Sequence, residues 1–347
     1  MITIDNFEIG LNKKTFIIAE LSANHGQNID IAKNTIRAVK QTGADAIKLQ
    51  TYTADTMTIN SNNNYFKINS GTIWDGRTLY DLYQEAYTPW EWHEELIKYA
   101  NELGLICFSS PFDQTAVDLL ESLNVPAYKI ASFEITDIPL IEYVATKMKP
   151  VIISTGIATL PEIEEAVQAC KRVGNEQIVL LKCTSSYPAK IEDANLMTMK
   201  NMKETFEVEV GLSDHTPGST VPITAVALGA KIIEKHFILD KAIGGPDASF
   251  SLDFDEFKQM VQSVRNAEKA IGRVSYELTE SKKNSRLLSR SLFIVKDIKK
   301  GEKLTEENIK SIRPGHGLAP KYYRKILGNE AIDDLKKGTP LEWGMIK

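Results

Sequence analysis

Eight short apolar runs of β type recur along the chain, at 15–21, 44–51, 105–109, 127–130, 151–154, 178–183, 209–215 and 231–237. Nearly every gap between them is long enough for a helix. Runs with helical periodicity fall at 29–41, 90–103, 114–123, 138–146 and 161–173. In the first of these Ile31, Ile36 and Val39 are available for an inner face, and in the second Thr88 is the expected N-cap with Pro89 in the first turn. Antiparallel strands can be joined by a two-residue turn, whereas parallel strands need a crossover of about a dozen residues or more. The alternation therefore predicts an α/β fold with a parallel sheet and helices outside. Eight repeats without a G-x-G-x-x-G favour a closed (β/α)8 TIM barrel over an open dinucleotide-binding sheet, and 347 residues suit one barrel plus a small appendage.

The active site of such a barrel sits at the carboxyl ends of its strands. Side chains alternate along a strand, so Gly211, Ser213 and His215 share a face if the strand stays regular. Ile232, Glu234 and His236 share one by the same rule, and so do Lys48 and Gln50. The residues expected at the mouth are Glu20, Lys48, Ser109, Lys129, Ser132, Ser154, Thr155, Ser185, Ser213, His215, Glu234 and His236. Inward lysines require carboxylate partners or an anionic ligand. Among serines the natural anion is a phosphate, neutralised by the ammonium groups and hydrogen-bonded by the hydroxyls. The plain alternatives are rim salt bridges for the lysines and turn or cap hydroxyls for the serines.

His215 and His236 would lie within reach of one divalent cation, although two imidazoles are half of a typical metal site. The alternative is two unrelated histidines bonded to backbone. Lys129 could also form a Schiff base, as in a class I aldolase, but that chemistry leaves the imidazoles without a task. Between the second run and Pro89 lies a long excursion whose Trp and Tyr content predicts an ordered, substrate-facing insertion.

A last amphipathic helix is expected at 254–270, closing a barrel domain at 1–271. The charged, irregular stretch 272–289 reads as a linker, and 290–347 as a small module of short β pieces and turns. About 60 residues is marginal for an independent core, so this module is expected to dock on something. A net charge of −5 argues against a surface built for nucleic acid. No secretory pattern and no run of about 18 apolar residues is visible, which excludes a membrane span. Cys107, Cys170 and Cys183 follow no metal-ligand spacing and read as buried free thiols in a reducing cytoplasm.

Several stretches carry a family resemblance: I-A-E-L-S-A-N-H-G at 18–26, A-I-K-L-Q-T at 46–51, Y-K-I-A-S-F-E at 128–134 and I-I-S-T-G at 152–156. C-T-S-S-Y-P at 183–188, G-L-S-D-H at 211–215, E-K-H-F at 234–237 and G-G-P-D at 244–247 continue it. Together they resemble the sialic acid synthase family, which condenses phosphoenolpyruvate with an amino sugar to make a nonulosonic acid. The tail, with I-R-P-G-H-G-L at 312–318, is similar to that family's antifreeze-like (SAF) domain. T-I-W-D-G-R-T-L-Y-D-L-Y at 72–83 and Y-T-P-W-E-W-H at 87–93 look like the pseudaminic acid synthase branch. Sialic acid synthases usually carry Asn where this chain has Ser185. An N-acetylneuraminate or legionaminate synthase of the same family stays open, as does a non-catalytic sugar-binding protein.

The resemblance implies that Lys48, Lys129, Ser132, Ser154, Ser185 and Ser213 hold phosphoenolpyruvate, and that His215 and His236 bind Mn2+ or Mg2+. It implies an acceptor-sugar site lined by Glu20, Gln50, Tyr187 and Asp247. Arg313 would reach in from the antifreeze-like domain of a partner subunit, in a domain-swapped homodimer. Glu20, Lys129, Glu234 and Asp247 are the expected catalytic groups, with Glu20 moving a proton at the sugar and Glu234 orienting metal-bound water.

Overall fold

The structure, a computed structural model, describes residues 1–69 and 71–347. It opens on an antiparallel hairpin, β1 (Ile2–Ile4) and β2 (Phe7–Ile9), ahead of the first of the eight apolar runs. Ile4 and Ile9 are fully buried in the barrel's core, and the Phe7 ring lies 4.7 Å from that of Phe16 at the start of the next strand.

Eight strands then follow: β3 (Phe16–Glu20), β4 (Ala46–Thr51), β5 (Ile106–Pro111), β6 (Tyr128–Ile130), β7 (Val151–Ser154), β8 (Ile178–Cys183), β9 (Glu209–Asp214) and β10 (Ile232–His236). They pair in sequence order, all parallel, and β10 closes on β3. Buried on both faces, these strands are near-continuous Ile, Val and Leu until their carboxyl ends, where polar residues begin. The closing register sets His236 opposite Glu20, and Glu20 opposite Lys48 on the next strand. Glu234 lies opposite Ser213 on its other side.

Capping decides where the helices begin. Asn28 caps Ile29–Thr42 by accepting from the amides of Asp30 and Ile31, and Gly43 in the left-handed region (φ 85°) ends it. Ile36 and Val39 are buried inside that helix, whereas Ile31 is only half-buried. The expected helix from Trp90 is corrected: Trp90–Trp92 is a 3-10 turn and the α-helix is His93–Glu102. Thr88 caps neither element; it is buried, with its hydroxyl 3.2 Å from His25 Nε2. Phe254–Ile271 starts on a reciprocal cap between Asp253 and Glu256.

The chain divides into two compact units, Met1–Gly272 and Arg273–Lys347. The stretch read as an irregular linker contains a helix, Glu280–Arg286. Its local signals are a cap rather than an apolar stripe: Thr279 accepts from the Lys282 amide, with Glu280 in the first turn and Lys283 and Arg286 in the last. In the second unit β11 (Ser291–Ile294) pairs antiparallel with β12 (Ile309–Ile312), over a small core that includes Leu292, Ile294, Leu304 and Leu341. Among the described residues, no helix is long and apolar enough to cross a membrane.

Candidate active site

Strand alternation brings two buried amines and two buried carboxylates to the barrel mouth. Lys48 Nζ lies 2.5 Å from Glu20 Oε2 and 3.9 Å from Glu234 Oε1, and donates to Ser110 Oγ at 3.0 Å. Lys129 Nζ lies 3.2 Å from the same Glu234 Oε1, which also accepts from Ser213 Oγ at 3.2 Å. Glu234 is thus shared by both ammonium groups, while its buried Oε2 has no hydrogen-bond partner. Each lysine has a carboxylate, one of the two alternatives the sequence left open: Glu20 for Lys48, and Glu234 for Lys129 with Lys48 at its edge.

The charges sort accordingly. Burial alone would raise Glu234, yet Lys129 and then Lys48 outweigh it and hold this carboxyl below its usual range. Glu20 is pushed up to about 7 by burial, against the pull of Lys48. Burial lowers Lys129 more than Glu234 restores it, whereas Lys48 ends above its usual value because Glu20 and Glu234 outweigh burial. One carboxyl group is therefore poised near neutrality while its neighbour stays ionised, the division of labour that acid–base sites use.

Hydroxyls complete this cluster. Ser154 Oγ is buried without a partner. Ser185 donates to Ser132 at 2.9 Å, and Gly156 passes so close that a Cβ there would collide with Ser185 Oγ and sit 2.7 Å from Ser132 Oγ. Ser109, expected at the mouth, faces the helix layer instead. Its hydroxyl is 2.6 Å from Thr51 Oγ1, which in turn meets His93 Nε2 at 2.8 Å, so Ser110 is the inward residue of β5. Thr155 likewise turns away and donates to the Leu181 carbonyl at 3.1 Å.

The His215 and His236 rings are 5.3 Å apart, centroid to centroid. β9 ends at Asp214, so His215 lies one residue past the regular strand. Its Nδ1 donates to the Thr184 carbonyl at 3.0 Å, and although burial opposes it, Cys183 and this bond raise the imidazole above its usual value, so a metal at Nε2 would displace a proton. His236 departs from the backbone-bonded alternative: its buried Nδ1 has no hydrogen-bond partner, and Asp247 Oδ2 is 3.7 Å away. Burial first, then His215 and Lys48, hold His236 well below its usual value and keep it neutral, as metal ligation requires. Both rings pack on Phe250, at 6.2 and 4.9 Å. Among the described residues, no group of three or more His, Cys, Asp or Glu is arranged to hold a metal ion. The imidazole pair, with one orphaned nitrogen on His236, offers two nitrogen donors of the kind a divalent cation takes, fewer than a complete ligand set.

A cavity of about 400 Å³ borders this cluster through Gln50, Ser132 and His236, while Lys48, Lys129, Glu20 and Glu234 do not line it. Its polar side has Gln50, Ser22, Asp247, Tyr187 and His236. Gln50 Nε2 donates to Glu20 Oε1 at 3.0 Å and to Ser22 Oγ at 2.9 Å, and Ser22 donates to Asp247. Burial raises Asp247 above the usual carboxylate range, with the Ser22 bond opposing. The Tyr187 ring lies 4.5 Å from His215 and 5.4 Å from Trp74. The apolar side is the excursion, which supplies Met57, Ile68, Trp74, Leu79, Leu82 and Tyr83. Trp74 Nε1 donates to the Pro246 carbonyl at 3.1 Å and ties this insertion to the loop after β10. Arg313 belongs to the second unit, exposed, just past β12.

Glu134, Ser110 and Ser22 are site residues that strand parity misses. Glu134 lines the cavity from a 3-10 turn after β6, and its buried Oε2 has no hydrogen-bond partner. Burial pushes its carboxyl up to about 7, with Lys129 opposing. The one available signal is its place at the end of Y-K-I-A-S-F-E.

Residues 35–276 match the NeuB family, and residues 289–347 match the SAF domain. The chain is 53% identical over 326 residues to a pseudaminic acid synthase of Helicobacter pylori, covering 94% of this chain and 96% of that one. It is 51% identical to a pseudaminic acid synthase of Campylobacter jejuni, covering 98% of each. An N,N'-diacetyllegionaminic acid synthase of Legionella pneumophila is 38% identical over 97% of this chain and 96% of its own length. Among solved structures, an N-acetylneuraminic acid synthetase of Leptospira borgpetersenii in complex with citrate superposes with a TM-score of 0.73 at 32% identity, over 82% of this chain and 94% of that one. With an eight-stranded parallel barrel ahead of an SAF match, and identities of this size over nearly the full length, the chain belongs to the NeuB family.

Proposed function

We propose that this protein condenses phosphoenolpyruvate with 2,4-diacetamido-2,4,6-trideoxy-L-altrose and water, giving pseudaminic acid and phosphate. The observation that carries the chemistry is the meeting of two ammonium groups on Glu234, close enough to the imidazole pair to shift its charge, with His236 lining the adjacent cavity. The choice of sugar is supported by 53% and 51% identity to two pseudaminic acid synthases, against 38% to a legionaminic acid synthase.

In this reading Lys48 and Lys129 bind the phosphate, with Ser132, Ser154, Ser185 and Ser213 as further hydrogen-bond donors. Ser154 suits that task because its buried hydroxyl has no partner in the protein. His215 and His236 would hold Mn2+ or Mg2+, which as a Lewis acid would polarise the sugar aldehyde. The methylene carbon of phosphoenolpyruvate forms the new bond to the aldehyde carbon, and a proton goes to the carbonyl oxygen. Glu20, pushed up to about 7, is suited to hold that proton at neutral pH, and Glu134 is placed for the same work. Water, oriented by the ionised Glu234, adds to the former enol carbon and gives up one proton, which replaces the one passed to the carbonyl oxygen; the proton of the resulting hydroxyl leaves with phosphate. The carbon–oxygen bond to phosphate then breaks, the lysines offset the charge on the leaving group, and a 2-keto acid remains. Gln50, Tyr187 and Asp247 orient the acceptor.

Three further readings belong with it. Residues 1–271 carry the chemistry, 272–289 connect, and 290–347 supply Arg313 to a partner subunit in a domain-swapped homodimer. Support comes from the exposed position of Arg313, which makes no ion pair among the described residues. The three buried free thiols suit a reducing cytoplasm.

Phosphate release from phosphoenolpyruvate tests the proposal, assayed with N-acetylmannosamine and with the diacetamido-trideoxy hexoses. Fastest turnover with the altrose isomer is expected, and no release with any of these sugars would sink the reading. Gly156→Ala is a second check. The added methyl re-aims Ser132 and Ser185, so KM for phosphoenolpyruvate should rise about tenfold, or ~1.4 kcal/mol, with the fold retained. An unchanged KM would remove that serine pair from the phosphate site.

A further inference from the structure

The barrel wall behind the two imidazoles holds a charged pair that the reaction does not use. Lys235 and Asp214 have almost no exposed side-chain surface, 0% and 2%. They are backbone partners across β9 and β10, and alternation turns them outward while Glu234 and His236 turn in. Lys235 Nζ donates both to Asp214 Oδ2 and to the Thr216 carbonyl. The other oxygen of Asp214 accepts from the Thr216 amide at 3.1 Å and from its hydroxyl at 2.8 Å.

A buried ion pair is a weak source of stability, since a well-packed apolar pair in the same place does as well or better. The barrel wall is elsewhere built from such apolar residues. What the pair offers is placement. The β9–β10 ladder ends at the Asp214–Lys235 pair, and both imidazoles lie just beyond it. The ammonium grips the residue on each side of His215 and directly precedes His236 in the chain. A slide of one strand end past the other would break both of its hydrogen bonds.

We propose that Lys235, Asp214 and Thr216 form a buried clasp that sets the separation and aim of the His215 and His236 rings, and so the affinity of this site for a divalent cation. The inference rests on the reading of the two imidazoles as metal ligands. Lys235 and Asp214 are positioning residues, because neither faces the cavity.

Titration of the full-length protein with Mn2+, followed by the loss of the free-ion electron paramagnetic resonance signal, tests the clasp. Lys235→Met should weaken Mn2+ binding roughly tenfold or more, the scale of losing a group that orients a metal ligand. KM for phosphoenolpyruvate should stay unchanged, because Lys48 and Lys129 keep their partners. A merely structural role would lower the melting temperature and leave the Mn2+ affinity of the folded protein alone; that result overturns the inference. Asp214→Asn, which keeps the shape and the Thr216 contacts, should weaken Mn2+ binding in the same direction and serves if the lysine variant does not fold. Wild-type protein that binds no Mn2+ would overturn the metal reading and the clasp together. Wild-type affinity in both variants would overturn the clasp alone.

Discussion

Lys129→Met should lower kcat/KM for phosphoenolpyruvate by roughly a thousandfold, the upper scale for removing one donor from a charge-stabilising site. The amine is buried and 3.2 Å from Glu234 Oε1, so nothing from solvent can replace it. Its loss leaves Glu234 with the ammonium of Lys48 at the longer distance of 3.9 Å. Breaking one side of a buried pair costs about 3–5 kcal/mol, which urea unfolding at pH 7 would register. Lys129→Met combined with Glu234→Gln removes the uncompensated charge and should recover much of that stability, but not the activity. Stability and turnover thus separate in one pair of variants. Turnover of Lys129→Met within tenfold of wild type would take the amine out of the mechanism.

His236→Ala should remove Mn2+-dependent phosphate release by roughly a hundredfold or more, since even losing a group behind a metal ligand costs about 10–100-fold. The fold should survive. His236 Nδ1 has no hydrogen-bond partner, so its removal strands no other polar group. The measurement is phosphate release before and after chelator treatment, with thermal melting as the control. A chelator-treated His236→Ala protein that turns over like the wild type would end the metal role of this imidazole.

The barrel was legible because its strands are regular and apolar, and because each is followed by a segment long enough to cross back. Parity then put Lys48, Gln50, Ser213 and Glu234 on the inner face without any coordinates. Parity failed where the strand boundary was wrong: the run ending at Ser109 continues to Pro111, and Ser110 takes the inward position. The hairpin Ile2–Ile9 was not legible, since strands of three residues are too short to show a period. Glu134 and Ser22 escaped for a related reason: both lie past a strand end, where backbone turns rather than alternation aim the side chain. Which acid serves which amine was hidden most deeply. Lys129 on β6 and Glu234 on β10 are not neighbours in the sheet, and they meet only because the barrel closes.

Amines and imidazoles that share one mouth would set an enol phosphate beside a metal-activated aldehyde. Crystals grown with phosphoenolpyruvate and Mn2+ test it directly. The prediction is a phosphate within hydrogen-bond reach of Lys129 Nζ and a Mn2+ held by both His215 and His236. A carbon–nitrogen bond between Lys129 and the ligand, or a Mn2+ bound away from both imidazoles, would contradict it.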